Sequence, residues 1–199
     1  EARVKEIVDK LPFAFLAQNI RDSEFEDKVF EGSKIFERGG VKIAVIGQAF
    51  PFTPIANPRY MMPDWGFGIR EHDVRKSVEA ARRNGAQLVV LLSHNGFDVD
   101  RKMASRVAGI DVILTGHTHD ALPVAIKVGS TLLIASGSHT KFLSRLDIEM
   151  KNGRMSDWQF GLIPVLTDAI QPDPEMAKLV AEIRAPHEAM LKTELARAE

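Results

Sequence analysis

The sequence DVILTGHTHD at residues 111–120 joins an apolar run directly to two histidines one residue apart. The apolar run predicts a buried strand over residues 111–115, and Gly116 permits a sharp turn at its end. If the chain stays extended there, His117 and His119 face the same side, with α-carbons roughly 6–7 Å apart. Because imidazole is the commonest metal ligand near neutral pH, the pair predicts a site for one ion or two adjacent ions.

A further histidine follows a second apolar run. The sequence QLVVLLS at residues 87–93 predicts another buried strand, and HNG comes directly after it at residues 94–96. Ligands of open α/β sheets bind outside the carboxyl ends of the strands. We therefore interpret His94, His117 and His119 together as part of a metal centre, although each histidine alone is more typical of a polar loop.

Helical and strand patterns alternate through the middle of the chain. Apolar runs that are separated by helices indicate parallel strands, and two-residue turn signals indicate antiparallel hairpins. The predicted fold class is α/β with mixed sheets, and residues 50–68 form a long loop. Helices are expected at residues 4–11, 69–83, 99–107 and from 174 onward with a break at Pro186, and strands at 13–17, 29–36, 41–46, 87–93, 111–115, 125–128, 131–135, 142–150 and 155–163.

The composition limits the classes of binding partner and the kinds of catalytic nucleophile that this chain can have. The formal net charge is -1, so there is no electrostatic reason to expect nucleic acid or an anionic membrane as a partner. No apolar stretch approaches the roughly 20 residues that span a bilayer. The chain has no cysteine, no Gly-x-Ser-x-Gly nucleophile elbow and no phosphate-binding Gly-x-x-x-x-Gly-Lys-Ser/Thr loop. A nucleophile generated by a metal ion fits this composition best.

The loop at residues 50–68 carries the candidate substrate-binding residues. Arg59 is a candidate clamp for an anionic group, with Asn57 close to it in sequence. Tyr60 and Trp65 are candidates for the wall of a pocket or for contact with a partner's chain. The alternative is an ordered loop that packs its aromatic rings on the core.

Other polar residues near the predicted strand ends have more than one interpretation. His139 is either a loop residue or a further group that approaches the site from the hairpin region. Asp120 either orients a ligand imidazole or forms a turn. Asp98 and Asp100 are within reach of the site by sequence, but we interpret them as acidic residues of a first helical turn, where they suit the helix dipole.

These motifs resemble a known family. LLSHNG at residues 91–96 and GHTH at 116–119 resemble the second half of the signature of calcineurin-like metallophosphoesterases, in their 5′-nucleotidase branch. SGSHTKFLSRLD at 136–147 resembles the strand that follows in that branch. A narrower set is similar to the SoxB family of sulfur-oxidation proteins, namely IGQAFP at 46–51, IANPRY at 55–60, DVD at 98–100 and MASRV at 103–107.

The resemblance implies a four-layer α/β/β/α sandwich around two divalent metal ions, which are manganese in SoxB. His94 and His117 would bind one metal and His119 the other, and the catalytic residues would lie upstream of this chain. It further implies a periplasmic thiosulfohydrolase of thiosulfate oxidation, which releases sulfate from a cysteine-bound sulfonate on the carrier SoxYZ. The alternatives are a 5′-nucleotidase-like phosphoesterase and a non-catalytic α/β binding module.

The sequence departs from the family's pattern at its beginning. The early motifs Asp-x-His, Gly-Asp and Gly-Asn-His-Glu/Asp are absent, and they would supply the remaining metal ligands. Residues 1–170 are therefore interpreted as the C-terminal part of the catalytic domain, and residues 171–199 as a helical linker toward a further domain. The isolated chain is expected to be inactive, because three imidazoles without a bridging carboxylate hold two metals poorly.

Overall fold

The computed structural model describes residues 1–197, so the last two residues of the expected linker lie outside the described part. Contacts divide the chain into two compact units, Glu1–Pro164 and Val165–Glu199. The helices are α1 (Ala2–Val8), α2 (Thr53–Ala56), α3 (Glu71–Arg83), α4 (Phe97–Arg106), α5 (Pro174–Arg184) and α6 (Glu188–Leu191). The strands are β1 (Arg21–Asp22), β2 (Ser33–Arg38), β3 (Val41–Gln48), β4 (Trp65–Gly66), β5 (Leu88–Ser93), β6 (Val112–Thr115), β7 (Ile126–Val128), β8 (Thr131–Ile134), β9 (Phe142–Lys151) and β10 (Arg154–Pro164).

A six-stranded mixed sheet lies at the centre of the first unit, in the order β2-β3-β5-β6-β8-β7. The strands β3, β5, β6 and β8 are parallel, and β2 and β7 add antiparallel edges. At the turn from β2 to β3, Gly39 and Gly40 take φ angles of 56° and 75°, which residues with a side chain rarely adopt. The α/β fold class and both predicted hairpins of this sheet are confirmed.

Helices α3 and α4 cover one face of this sheet. The apolar residues of α3 recur at helical spacing, so Val74 and Val78 enter the same buried cluster as Leu91 of β5. Successive strand residues point to opposite faces. On the other face, Leu92 and Leu114 remain 51% and 38% exposed.

The strands β9 and β10 form a separate long hairpin. Asn152 and Gly153 make its turn with φ angles of 52° and 72°, as the Asn-Gly signal predicts. Half-buried and exposed residues alternate strictly along β9. This alternation is typical of an antiparallel strand with one covered face.

The strand predicted at residues 13–17 is wrong. These residues form no strand in the described structure, and Ala17 alone among them is fully buried. The amides of Ala17 and Gln18 donate single hydrogen bonds to the carbonyls of Glu31 and Gly47. The segment is therefore held by individual bonds to two neighbours and not by a continuous ladder.

Strand β2 begins at Ser33 and not at Val29. Val29 and Phe30 instead pack against a small apolar cluster around Trp65. Because β4, which contains Trp65, pairs with β1, the loop predicted at residues 50–68 also contains a short strand, together with helix α2.

The second unit consists of α5, α6 and short turns. The carboxylate of Asp173 caps α5 by accepting a hydrogen bond from the Met176 amide at 2.8 Å, and Pro174 takes the first helical position. Pro186 lies in a 3₁₀ turn between α5 and α6, which confirms the predicted break. The role of this unit as a linker stays a prediction. Within residues 1–197, none of the helices has the length and apolar character that a bilayer crossing requires.

Candidate metal centre

His94 and His117 lie just beyond the ends of neighbouring parallel strands. Ser93 at the end of β5 is in register with Thr115 at the end of β6. The His94 amide donates to the Gln48 carbonyl at 2.9 Å, which joins this strand end to that of β3. The sheet therefore brings both imidazoles to one edge, as the sequence predicts.

Phe50 covers the rings of His94 and His117. The two imidazole centroids are 5.3 Å apart, with an interplanar angle of 71°. The Phe50 ring stacks on His117 at 4.0 Å and meets His94 edge-on at 6.2 Å. At this separation each imidazole can direct one nitrogen at a common divalent ion, because a bound nitrogen lies about 2 Å from the metal. The sequence pattern did not single out Phe50, although the strand-end rule that selected His94 also applies to a residue just after β3.

We expect Phe50→Leu to weaken binding of a divalent ion by up to about tenfold, because loss of an aromatic pair is worth about 0.5–1.5 kcal/mol and frees the His117 ring. Titration calorimetry with manganese, on the intact wild-type protein and on the intact variant, measures the change in affinity. Phe25→Leu is the matched control, since Phe25 is 71% exposed and contacts neither imidazole. Equal affinities for the wild type and Phe50→Leu would show that the ring does not position His117.

His117 and His119 do not share an extended segment. Their φ angles are 83° and 60°, in the left-handed region that non-glycine residues seldom occupy. The expectation that both rings face the same side of a strand is therefore wrong, because the chain turns at each histidine. The ring of His119 lies beside His139, with centroids 5.8 Å apart.

The loop that carries His139 is attached to the segment after β6. The Gly137 amide donates to the Asp120 carbonyl at 2.7 Å, so His139 approaches the site from the hairpin region. The Asp120 carboxylate accepts a hydrogen bond from the Thr118 hydroxyl and contributes to the turn. Within residues 1–197 that carboxylate makes no hydrogen bond to an imidazole, which favours the turn interpretation of Asp120.

A buried carboxylate connects the two strands that precede the histidines. Asp100, in the first turn of α4, is fully buried. It accepts hydrogen bonds from Ser93 Oγ at 2.8 Å, Asn95 Nδ2 at 2.9 Å and Thr115 Oγ1 at 2.5 Å. Burial raises the pKa of Asp100, and these three hydrogen bonds oppose the rise. The acidic residue predicted to serve only the helix dipole thus also fixes both strand ends, whereas Asp98 is exposed.

Buried amides extend this network toward β3. The Gln48 side chain donates to Asn95 Oδ1 at 3.2 Å and to the Ile69 carbonyl at 2.7 Å. It accepts from Gln18 Nε2 at 2.5 Å. Hydrogen bonds therefore link the ends of three parallel strands beneath the imidazoles.

The electrostatics of the site favour neutral imidazole at His94. Partial burial lowers the pKa of His94, and the charges of His117 and His119 lower it further. Only a neutral imidazole offers a lone pair to a metal ion. The lowered pKa is therefore compatible with a ligand role.

The described residues supply part of a metal site. His94 and His117 fit as two ligands of one divalent ion, since their imidazole centroids are only 5.3 Å apart. Across residues 1–197, however, no three His, Cys, Asp or Glu side chains are grouped so that they could hold an ion. His119 stands apart from the pair, and no carboxylate completes the donor set among the described residues.

The candidate substrate-binding residues have different environments. Tyr60 is 81% exposed, Arg59 donates to the Pro63 carbonyl at 3.2 Å, and Asn57 donates to the Thr53 carbonyl at 3.0 Å. Trp65 is only 6% exposed and packs edge-to-face on a phenylalanine at 5.3 Å. The structure thus favours core packing for Trp65, whereas the side chain of Tyr60 is accessible. His72 and His187 are exposed, as expected for helical surface residues.

The chain has the fold of calcineurin-like phosphoesterases and 5′-nucleotidases. The crystal structure of a 5′-nucleotidase precursor from Thermus thermophilus matches 96% of this chain and 41% of its own, with a TM-score of 0.82 and 22% identity. The structure of the sulfate thiohydrolase SoxB from Thermus thermophilus matches 98% of this chain and 36% of its own, with a TM-score of 0.94 and 34% identity. No protein-family model matches the chain.

Sequence relatives come from the same group. Protein UshA of Yersinia enterocolitica is 24% identical over 90% of this chain and 41% of its own length. The 5′-nucleotidase of Vibrio cholerae is 25% identical over 77% of this chain and 33% of its own length. Together these likenesses support the 5′-nucleotidase and metallophosphoesterase superfamily. The chain spans well under half the length of each of these relatives.

Proposed function

We propose that this chain is part of a SoxB-type thiosulfohydrolase, which releases sulfate from a cysteine-bound sulfonate on a SoxYZ-type carrier in the periplasm. The observation that carries the proposal is the 34% identity and TM-score of 0.94 with the SoxB structure over 98% of the chain. The corresponding values for the 5′-nucleotidase precursor, 22% and 0.82, are lower. Both matches cover nearly the whole chain, 98% and 96% of it.

In this proposal His94 and His117 hold one divalent ion and His119 holds a second, and both ions are manganese. Bound metals would polarise the sulfonate oxygens and favour deprotonation of water. Phe50 shields the His94–His117 pair on one side. The network around Asp100 fixes the two strand ends, so the imidazoles meet the ion with little loss of conformational freedom.

The accessible part of the loop at residues 50–68 is proposed to lie along the carrier's approach. Arg59 and Tyr60 project from this loop with exposed side chains, and Asn57 is exposed beside them. An Arg guanidinium suits a sulfonate because it donates two parallel hydrogen bonds. Trp65 takes no part in this contact, since its ring is buried.

The experiment is a paired assay on the intact protein loaded with manganese. Sulfate release from a thiosulfonate-loaded carrier is compared with phosphate release from AMP at equal protein concentration. The proposal requires sulfate release to dominate. Phosphate release without sulfate release would contradict it and support the phosphoesterase alternative, which the name of the Vibrio cholerae relative, a 5′-nucleotidase, favours.

We expect the 199-residue chain alone to release no measurable sulfate, because His94, His117 and His119 lack a bridging carboxylate among the described residues. The same paired assay with added manganese measures this. The intact protein, assayed in parallel, is the positive control. Turnover by the isolated chain would show that the imidazoles suffice. If the intact protein bound no manganese in calorimetry, the non-catalytic binding module would be the better account.

A further inference from the structure

A charged groove lies between helix α3 and the segment that leads into β2. Asp73, Lys76 and Arg83 are three and seven residues apart along α3, so helical periodicity brings them to one side. Arg21 of β1 and Lys28 are joined by an isolated antiparallel bridge, and residues paired in this way project from the same face. All five residues line the groove, which has a volume of about 640 Å³.

The groove carries an excess of positive charge. Its lining residues contribute four cationic side chains and a single carboxylate, that of Asp73. This carboxylate is already paired, since Arg21 Nη2 donates to it at 2.8 Å. Lys28, Lys76 and Arg83 therefore leave the groove positive, whereas the whole chain has a formal net charge of -1. A concave surface lined by one sign of charge attracts ligands of the opposite sign.

The polar groups of the groove are available to a ligand. Lys28 and Lys76 are exposed, and within residues 1–197 their ammonium groups have neither a hydrogen-bond partner nor an ion-pair partner. The Arg83 guanidinium has only a long contact of 3.9 Å with a carboxylate of its own helix. The hydroxyls of Ser33 and Ser77, which also line the groove, make no hydrogen bond to any described residue. The groove thus offers donors that the described part of the chain does not use.

The spacing of the cations favours an extended anion over a compact one. The α-carbons of Lys76 and Arg83 are separated by about 10 Å along the axis of α3, so one small anion cannot contact both ends. Alternate side chains of an extended peptide are about 7 Å apart, and several of its carboxylates can therefore contact the groove together. The lining residues include no aromatic ring, so the stacking contacts that hold unpaired nucleic-acid bases are missing.

We propose that this groove binds an acidic peptide segment of a partner protein. The charge complementarity between exposed lysine and arginine side chains and a run of carboxylates supports this occupant. None of the groove's lining residues is a candidate metal ligand. The acidic partner is therefore independent of the proposed hydrolysis, and either can fail without the other.

The test is a fluorescence-anisotropy titration of the intact protein with a labelled hexaglutamate peptide at low ionic strength. We expect saturable binding that added sodium chloride weakens, because exposed charges are screened by salt. The double variant Lys28→Gln/Lys76→Gln should bind about tenfold more weakly, since each exposed ion pair contributes up to about fivefold in affinity. Lys102→Gln/Lys178→Gln is the matched control, because it removes the same charge at exposed helical positions outside the groove, and it should bind like the wild type.

Carbodiimide coupling of the bound peptide locates the contact, because it joins carboxylates to neighbouring lysine ammonium groups. Mass spectrometry should find the peptide on Lys28 and Lys76. Unchanged peptide affinity in Lys28→Gln/Lys76→Gln overturns the proposed groove, and so does an equal loss in the control variant, which would reduce the attraction to overall charge.

Competition distinguishes the peptide from other polyanions. Inorganic tripolyphosphate and a single-stranded oligonucleotide are added to the peptide complex in separate titrations. If either one displaces the peptide at an anionic-group concentration below that of the peptide itself, the groove prefers phosphate groups and the acidic peptide is the wrong occupant. Manganese affinity and hydrolysis by the groove variants should equal those of the wild type.

Discussion

Replacing Asp100 with alanine is expected to lower the free energy of unfolding by about 3 kcal/mol, because it leaves several buried donors without an acceptor. The donors are Ser93 Oγ, Asn95 Nδ2 and Thr115 Oγ1. Denaturant unfolding followed by circular dichroism measures the change. The substitution should also weaken metal binding, because the same hydrogen bonds fix the strand ends that precede His94 and His117.

Asp98→Ala is the matched control for this variant. Asp98 occupies the same helical turn but is exposed, so its replacement should change stability by no more than about 0.5 kcal/mol. If Asp98→Ala and Asp100→Ala destabilised the protein equally, the helix dipole would account for both residues and the buried network would be unimportant.

The stability that this network provides depends on pH, because the Asp100 carboxyl can gain or lose a proton. Burial raises its pKa above the ordinary value of 3.8, so the folded state retains the proton at a pH where the unfolded chain has lost it. The stability associated with the protonated carboxyl is therefore complete below pH 3.8 and is lost as pH rises through the raised pKa. Asp100→Asn removes this dependence, which a comparison of unfolding curves from pH 4 upward can measure.

Replacing His117 with alanine is expected to weaken manganese binding at least about 100-fold, because even groups that only orient a metal ligand contribute 10- to 100-fold. His117 is the better position to test, since it contacts both His94 and Phe50. Calorimetry on the intact protein measures affinity, and its sulfate release should fall by at least the same factor.

His72→Ala controls for the loss of an exposed histidine, and it should leave manganese affinity unchanged. His94→Ala should reproduce the effect of His117→Ala if the two rings share one ion. An affinity in His117→Ala equal to that of the wild type would remove this ring from the metal centre and would contradict the proposed ligand pair.

The sequence predicted the parallel sheet because periodicity is a local property. Apolar runs at residues 87–93 and 111–115 are long enough to identify strands, and the rule of strand ends then selected His94 and His117. The hairpin turns followed from glycine-containing dipeptides. The strand at residues 13–17 failed because it has apolar residues but no continuous partner, and a partner is a tertiary property.

The parts of the site that were not predicted depend on contacts between distant segments. The burial of Asp100 follows from its packing beneath two strand ends, and its sequence neighbourhood is that of an ordinary helix start. His139 reaches His119 only because Gly137 bonds to Asp120. The left-handed backbone at His117 and His119 was not predicted, because we assumed that the chain stays extended after the strand at residues 111–115.

Left-handed backbone conformation is found at four non-glycine residues of this edge, His117, His119, His139 and Thr140. This conformation is unfavourable for residues that carry a side chain. Glycine would adopt each geometry without penalty, whereas each of these residues costs about 1–3 kcal/mol in such a conformation. Selection for thermal robustness alone would therefore replace these four positions with glycine. The cost falls on the sheet edge where the candidate metal ligands His94 and His117 also lie, so this edge is the part of the sheet that non-glycine side chains destabilise.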